Sequence, residues 1–405
     1  MDQTASDDHA VPCHPAWAWH ATLSGLCASL VGIGLARFAY TPLLPAIVDA
    51  HWFAASTAAY LGAANLAGYL AGALLGRPLA QRVPTATVIR AMMVLATVTF
   101  FACAVPLSFT WFFLWRLAAG LAGGALMVLA APAVLPHVAP SRRGLAAGVI
   151  FTGVGLGIAA SGTLVPILLR QGLTATWLGL GILALMLTLV AWRGWPDGGA
   201  VATRWRGSPR SRQGTVTLRA LYGEYALNAA GLVPHMIFLV DFVARGLGQG
   251  VARGAEYWVL FGLGAMMGPL LGGHLADRIG FGAALRCAYV VEALAVVVPV
   301  LTPAPGWLML SSVIVGGFTP GIVPLVLGRI HELLAPDPAA QQAAWGVATT
   351  GFATFQALGA YGMSFLFARG GDDRLLFLLG AVAMALALAL DLAAAVGARR
   401  DPAAT

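Results

Sequence analysis

The chain has 405 residues, of which 59% are hydrophobic and 10% are charged, and its mean hydropathy is +0.83. Soluble domains carry ~25% charged residues, so this composition excludes a water-soluble fold. The net charge of +7 does not indicate nucleic-acid binding, because the basic residues, all of them Arg, stand in short segments between apolar runs. We therefore predict an all-α polytopic protein embedded in the lipid bilayer.

Twelve apolar runs are long enough to cross a bilayer, which takes ~20 residues of helix. Their ends are marked by Pro, Gly and Arg, and the segment 302–306 divides the ninth run from the tenth. In chain order we predict span 1 to span 12 at 18–47, 54–76, 86–106, 111–136, 143–169, 173–192, 219–244, 255–276, 283–302, 307–331, 341–368 and 374–396.

The Arg residues outside the spans or at their ends are distributed unequally between the two sides of the membrane. Five fall on one side, namely Arg170, Arg245, Arg253, Arg369 and Arg374. Sixteen fall on the other, namely Arg77, Arg82, Arg90, Arg142, Arg143, Arg193, Arg204, Arg206, Arg210, Arg212, Arg219, Arg278, Arg286, Arg329, Arg399 and Arg400. Cytoplasmic loops are enriched in basic residues, so we predict a multi-pass inner-membrane protein with both termini cytoplasmic.

The domain organisation follows from one long polar linker and an internal repeat. Gly120 and Gly316 are 196 residues apart, and the same offset relates Gln81 to Asp277 within similar strings. Two parallel six-helix repeats are typical of secondary transporters. We predict a cytoplasmic tail at 1–17, an N-terminal bundle at 18–192, an Arg-rich cytoplasmic linker at 193–218, a C-terminal bundle at 219–396 and a cytoplasmic tail at 397–405.

Three strings resemble motifs of one family. The segment 273–280 (GHLADRIG) is similar to the loop motif that follows the second helix of each half in the major facilitator superfamily, and 116–120 (RLAAG) resembles its fourth-helix motif. The segment 34–45 (GLARFAYTPLLP) resembles the YbfB/YjiJ group within it. The resemblance implies a fold of twelve transmembrane helices in two six-helix repeats, with alternating access and a central cavity lined by spans 1, 4, 7 and 10.

The same resemblance implies a conformational gate at the loop motif, formed by Gly273, Asp277, Arg278 and Gly280. The first half departs from this motif, because Arg77, Gln81 and Pro84 stand where Gly, Asp and Gly are expected. We therefore expect the gate to depend mainly on Asp277.

Charged and titratable residues inside the spans are the candidates for function, since each charge there costs ~2.5–3.5 kcal/mol on insertion scales. They are Arg37, Arg116, Glu224, His235, Asp241 and Glu292. We predict substrate binding by Arg37, Tyr40, Arg116, His235 and Phe238. The guanidinium of Arg37 can hold a carboxylate in a two-pronged fork; the alternative is that it caps helix carbonyls or pairs with an acid. The alternative for Arg116 is snorkelling to the outer interface.

Proton coupling is predicted at Asp241, with His235 as a second candidate, because His titrates nearest to neutral pH. We expect Asp241 to lie near Arg116, and a static Asp–Arg pair is the alternative. A packed, hydrogen-bonded side chain is the alternative for His235. Structural pairing is expected for Glu292, and a salt bridge with Arg219 is expected for Glu224.

Glycines indicate where helices approach one another closely. Span 5 carries Gly148, Gly153, Gly155, Gly157 and Gly162, small residues of the kind that let membrane helices pack. Span 10 carries Gly316, Gly317, Pro320, Gly321 and Pro324, which predicts a broken or kinked helix.

These observations predict a secondary active transporter that moves a small organic solute, anionic or zwitterionic, by alternating access coupled to protons. The chain has no phosphate-binding loop motif, and we expect a monomer without cofactor, metal or nucleic-acid partner. His9, Cys13 and His14 form a metal-like cluster without a regular ligand spacing. The alternatives are a broad-specificity drug/proton efflux antiporter and a non-transporting receptor or intramembrane enzyme; no catalytic motif supports an enzyme.

Overall fold

The computed structural model describes residues 15–138, 142–196, 216–334, 337–370 and 373–400, and within these ranges it is built of helices. The linker beyond residue 196 and the cluster of His9, Cys13 and His14 lie outside the described residues.

The N-terminal half contains spans 1 to 6. Span 1 consists of the helices Pro15–Ser29 and Tyr40–Asp49 with the π-helical segment Leu30–Leu35 between them. The next five spans are the helices Ala55–Ala80, Thr85–Cys103, Phe109–Val134, Arg143–Leu169 and Leu173–Ala191.

The C-terminal half contains spans 7 to 12. Span 7 consists of the helix Val216–Gly231 and a distorted continuation of Pro234–Phe238, Leu239–Asp241 and Phe242–Gly246, whose first and last parts are π-helical. The remaining spans are the helices Gly250–Ile279, Phe281–Leu301, Pro305–Leu333, Pro338–Gly370 and Asp373–Arg400.

Eleven of the spans in the described chain are long and apolar enough to cross a membrane by length and composition. Span 11, Pro338–Gly370, is the longest helix but is not among those eleven. Its apolar run is interrupted by polar side chains, and one of them, Gln356, is buried. Span 11 therefore takes part in the bundle while carrying a polar group into its interior.

Spans 1 and 7, the first of each half, are both distorted near their middle. The π-helical segments Leu30–Leu35 and Pro234–Phe238 interrupt the regular hydrogen-bond pattern, and such segments occur often at functional sites. Of the break or kink predicted in span 10, the break is wrong, because Pro305–Leu333 is one continuous helix that includes Pro320 and Pro324, and the kink stays a prediction. The irregular helical backbone therefore lies in spans 1 and 7.

The repeat predicted from sequence also appears in helix packing. A Cβ added to Gly120 in span 4 would overlap the carbonyl oxygen of Asn65 in span 2, and one added to Gly316 in span 10 would overlap that of Phe261 in span 8. Each member of the second pair follows its counterpart by 196 residues. The two halves therefore use the same glycine contact, in which the absence of a side chain allows backbones to touch.

The two ends of the bundle differ. We call the end at which residues 196 and 216 flank the linker the linker end, and the opposite end the far end. Glycines of span 5 contact span 8 across the two halves, with Gly155 against Met266 and Gly162 against Val259. Gly148, nearer the linker end of span 5, faces open space. The halves are thus in contact from the middle of the bundle to the far end.

Candidate functional site

Arg37 lies at the centre of the protein, directly after the distorted part of span 1. Its Nη2 donates a hydrogen bond of 2.6 Å to Oε1 of Gln356 in span 11. The guanidinium also lies 4.6 Å from the ring centroid of Tyr69 and 5.0 Å from that of Phe38, which provides favourable cation–π contacts. Arg37 therefore joins the N-terminal half to the C-terminal half.

Arg116 enters the same region from span 4. The residue is 3% exposed, so the alternative of snorkelling to the interface is not what the structure shows. Its Nη1 donates to the carbonyl oxygen of Ala36 at 2.9 Å, and its guanidinium lies 4.3 Å from the ring centroid of Tyr40. The hydroxyl of Tyr40 in turn donates to the carbonyl oxygen of Ala58, which fixes the ring under the cation.

Both guanidinium groups lack a carboxylate partner. Within the described residues, the four salt bridges involve other arginines, and the buried Nε atoms of Arg37 and Arg116 have no hydrogen-bond partner. The aromatic rings compensate a buried cation only in part. The site therefore offers uncompensated positive charge and free N–H donors.

A small cavity of about 20 Å³ lies between these groups. That volume holds about one water molecule, so a solute fits only after the two halves move apart. The walls come from spans 1, 2, 4 and 7 and are formed by Arg37, Phe38, Tyr40, Thr41, Gly62, Asn65, Leu66, Arg116, Met236 and Ile237.

Sequence reasoning missed three polar residues of this site. Asn65 donates to the carbonyl oxygen of Arg116 and its buried Oδ1 has no partner. Tyr69 packs on Arg37, and Gln356 accepts a hydrogen bond from it. Asn65 and Gln356 are amides inside apolar runs, and that signal would have marked them as candidates.

Asp241 lies near the far end of span 7, and its partner is not the predicted one. Its Oδ1 and Oδ2 accept hydrogen bonds of 2.5 Å and 2.6 Å from Nε and Nη2 of Arg245, one helical turn away. The expectation of an Arg116 partner is wrong, because Arg116 is bound to the carbonyl of Ala36. Arg245, expected in an outer loop, lies within the distorted end of span 7.

His235 and Phe238 do not line the central cavity. Nε2 of His235 forms a hydrogen bond of 2.8 Å with Oγ of Ser311 in span 10, and its ring meets Phe377 of span 12 edge-on. Phe238 is fully buried and packs on Phe367 of span 11. Both side chains point into the C-terminal half, so the structure brings together Arg37, Tyr40 and Arg116 but not these two.

The predicted gate motif lies at the linker end of span 8. Gly280 has a φ of +81°, a left-handed conformation that favours glycine, and it ends span 8 and begins span 9. Asp277 and Arg278 are exposed, and neither belongs to a salt bridge of the described residues. The halves touch at the far end, and a gate motif without salt bridges at the linker end is compatible with that conformation. The gating role of these residues stays a prediction.

Glu224 and Glu292 lie in a second polar region, inside the C-terminal half. Glu224 is buried near Arg286, Arg329 and Asp391, and no salt bridge joins it to the exposed Arg219, so that expectation is wrong. Oε2 of Glu292 accepts a hydrogen bond of 2.5 Å from Nδ2 of Asn228.

The family is settled by sequence over most of the chain. The family model described as "Uncharacterised MFS-type transporter YbfB" matches residues 29–392. The chain belongs to this YbfB-type family of the major facilitator superfamily. It is a membrane transporter of small-molecule solutes and not an enzyme. No curated protein matches it in sequence.

Solved structures agree with the fold of this YbfB-type transporter. The nucleoside transporter NupG has a TM-score of 0.74 at 15% identity, covering 92% of this chain and 99% of NupG. A bacterial homologue of the human lysosomal transporter Spinster, in an inward-facing and occupied conformation, has a TM-score of 0.72 at 16% identity, covering 95% and 97% of the two chains. At this identity the likeness concerns the fold alone.

Proposed function

We propose that this transporter moves a small organic anion, or a zwitterion with a carboxylate, by alternating access coupled to protons. The observation that carries the proposal is the pair of guanidinium groups of the partly buried Arg37 and the buried Arg116, which have no carboxylate partner among the described residues. An anionic solute that enters between the halves supplies the missing negative charge.

The chemistry of the cavity favours an anion over other solutes. Arginine binds a carboxylate through two parallel N–H donors, and hydrogen bonds between charged groups are about twice as strong as neutral ones. A neutral solute leaves both cations uncompensated, and a cationic drug is repelled by them. The lining of Arg37, Tyr40 and Arg116 therefore supports an organic anion carrier over a broad exporter of cationic drugs.

The packing of the two halves supports alternating access. The linkage between Arg37 and Gln356 and the hydrogen bond from Thr41 to the carbonyl oxygen of Met236 join the halves at the cavity. Both contacts must break or rearrange when the far end opens. A solute that bridges the halves can replace them, which couples binding to rearrangement.

Coupling to protons is proposed at Asp241, as the sequence predicted. In this conformation both of its oxygens are held by Arg245, so the carboxylate is not free to take up a proton. Because Asp241 and Arg245 stand one turn apart on the same span, the pair separates when the partly exposed side chain of Arg245 turns into water, and we propose that this happens as the far end opens. Protonation of Asp241 would then accompany the outward-open state.

The proposed substrate class is tested by a thermal-shift screen of the purified protein against matched anionic, neutral and cationic metabolites. A ligand that binds the folded state stabilises it by about 2.7 kcal/mol at a concentration 100 times its Kd. We expect carboxylates to stabilise the protein and their amides or esters not to. Counterflow of the best carboxylate in proteoliposomes then tests transport. Stabilisation by cations alone, or binding without counterflow, would contradict the proposal.

We also propose that the linker end is cytoplasmic and the membrane is the inner membrane, supported by the sixteen Arg residues on that side against five on the other. Single cysteines at Gln81 and Gln171, exposed positions at the linker end and the far end, are introduced into a chain without its native Cys. In intact cells an impermeant thiol reagent is expected to label Gln171→Cys alone. Labelling of Gln81→Cys instead would reverse the orientation.

A further inference from the structure

Four polar side chains, which we call the polar file, lie in the interior of the C-terminal half, away from the central cavity. They are Glu224, Asn228, Tyr289 and Glu292. Glu224 and Asn228 are four residues apart on span 7, and Tyr289 and Glu292 are three residues apart on span 9. Each pair therefore shares one face of its helix. Asn228 donates to Glu292, and the buried hydroxyl of Tyr289 has no hydrogen-bond partner among the described residues. The hydrogen bond between Asn228 and Glu292 thus joins the two spans, with Glu224 one turn away on span 7.

Glu292 is the deepest acid of this file. It is 0% exposed and lies eleven residues into the helix Phe281–Leu301, or ~17 Å at 1.5 Å per residue. That is about half of the ~30 Å hydrocarbon thickness. In the described residues no cation lies within salt-bridge distance of Glu292, and its Oε1 has no hydrogen-bond partner.

An ionised carboxylate in such surroundings is far more costly than a neutral acid. The amide of Asn228 on span 7 donates to Glu292, and the hydroxyl of Tyr289 on its own helix forms no hydrogen bond with it among the described residues. The nearby His235 is bound to Ser311 and does not supply a charge partner. We therefore expect a proton, in the absence of a nearby cation, to neutralise the negative charge of the Glu292 carboxylate.

A cavity connects the file to the linker end. Its volume of about 180 Å³ holds several water molecules, and it is lined by Glu224, Arg286, Arg329 and Asp391. Glu224 is 3% exposed, and its buried Oε2 has no hydrogen-bond partner. Across the cavity, Nε of Arg286 donates to Asp391 of span 12.

We propose that Glu292 is an internal protonation site and that Glu224, one turn from Asn228 on span 7 and in the wall of the linker-end cavity, carries its proton to the cavity water. In the release step the O–H bond of the Glu292 carboxyl breaks and a new O–H bond forms on the carboxylate of Glu224. Glu224 then passes the proton to a cavity water, and the negative charge remains on Glu292. Asn228 is a positioning residue, because it holds Oε2 of Glu292.

The file is mechanically linked to the solute site through span 7. Span 7 carries Glu224 and Asn228 and, within its distorted segment Pro234–Phe238, Met236 and Ile237 in the wall of the central cavity. A movement of span 7 on solute binding changes the distance between Asn228 and Glu292, and hence the energy of the charged acid. This coupling rests on the proposed proton-linked function, whereas the protonation site itself does not.

The test is an infrared titration of the full-length protein in lipid nanodiscs without any solute. A protonated carboxyl in apolar surroundings gives a carbonyl stretching band, which we expect in the wild type and expect to vanish as the pH rises. Glu292→Gln is expected to remove this band. The matched control is Glu256→Gln, since Glu256 is an exposed acid paired with Arg253 at the surface; that variant should keep the band.

Two further variants keep the proposal testable where Glu292→Gln does not fold. Asn228→Leu removes the donor to Glu292 and is expected to shift the frequency of the band. Glu224→Gln is expected to keep the band and slow its exchange with deuterium from the buffer. A band unchanged in Glu292→Gln, or unchanged in frequency in Asn228→Leu, would overturn the proposal. Failure of the carboxylate screen would instead overturn the proposed substrate and leave this site standing.

Discussion

Replacing Arg37 with lysine is expected to weaken binding of the carboxylate solute about tenfold, or ~1.4 kcal/mol, with the fold intact. Lysine keeps the positive charge but loses the planar fork that holds both carboxylate oxygens. It also loses part of the stacking on Tyr69 and Phe38. The measurement is calorimetric titration of the purified variant with the carboxylate that stabilises the wild type most.

Arg253→Lys is the matched control, because Arg253 is exposed and pairs with Glu256 at the far end; its affinity should equal that of the wild type. Equal affinity in Arg37→Lys would mean that Arg37 acts as a point charge or as a link to Gln356. In that case Arg37 would be a structural contact between the halves and not a binding group.

Replacing Asp241 with asparagine is expected to abolish accumulation driven by a pH gradient while solute exchange at equal pH continues. Asparagine preserves the size of the side chain but cannot exchange a proton, and it leaves Arg245 without the carboxylate that now binds it. Exchange at equal pH requires no net proton movement, so only the coupled step is lost. The measurement compares both modes in the same proteoliposomes.

The control is Glu256→Gln, an exposed acid of the far end that pairs with Arg253 and should retain gradient-driven accumulation. Accumulation at the wild-type rate in Asp241→Asn would exclude this residue as the coupling site and would make the Asp241–Arg245 pair a static contact. The Glu292 file would then be the remaining route for protons, because its test does not involve Asp241.

The sequence by itself determined the class of the protein, the number of spans and their approximate ends. Every predicted span corresponds to a helical segment of the structure, with ends that agree within about five residues. The physical reason is that a bilayer satisfies no backbone hydrogen bond, so an apolar run of sufficient length must form a helix. The internal repeat was also predictable from the sequence, because glycines that let two backbones touch must recur at the same offset in both halves.

The distortions within the spans could be predicted from the sequence only in part. Proline and glycine in span 10 predicted a break or a kink, and the break is absent, since neighbouring groups can satisfy the freed backbone atoms of a membrane helix. The π-helical segments of spans 1 and 7 depend on how the backbone is held by packing around it. A local pattern of residues therefore locates possible breaks and does not decide which of them form.

Only the tertiary structure decided the partners of the polar side chains. Position along a helix places Arg37 near the middle of the membrane, but its contact with Gln356 joins residues 319 positions apart. Asp241 was assigned to Arg116 by depth, whereas Arg245 holds it from one turn away. His235 shares span 7 with the wall of the solute cavity and yet points at Ser311.

The common reason is that sequence spacing shows which residues share a helix face but not which neighbouring helix that face meets. Pairing between spans depends on crossing angles and on the rotation of each helix, which the packing of the whole bundle sets. The intramembrane charges were therefore identifiable as candidates from their cost in the bilayer. Their division into a solute site, a far-end ion pair and a proton file required the folded arrangement.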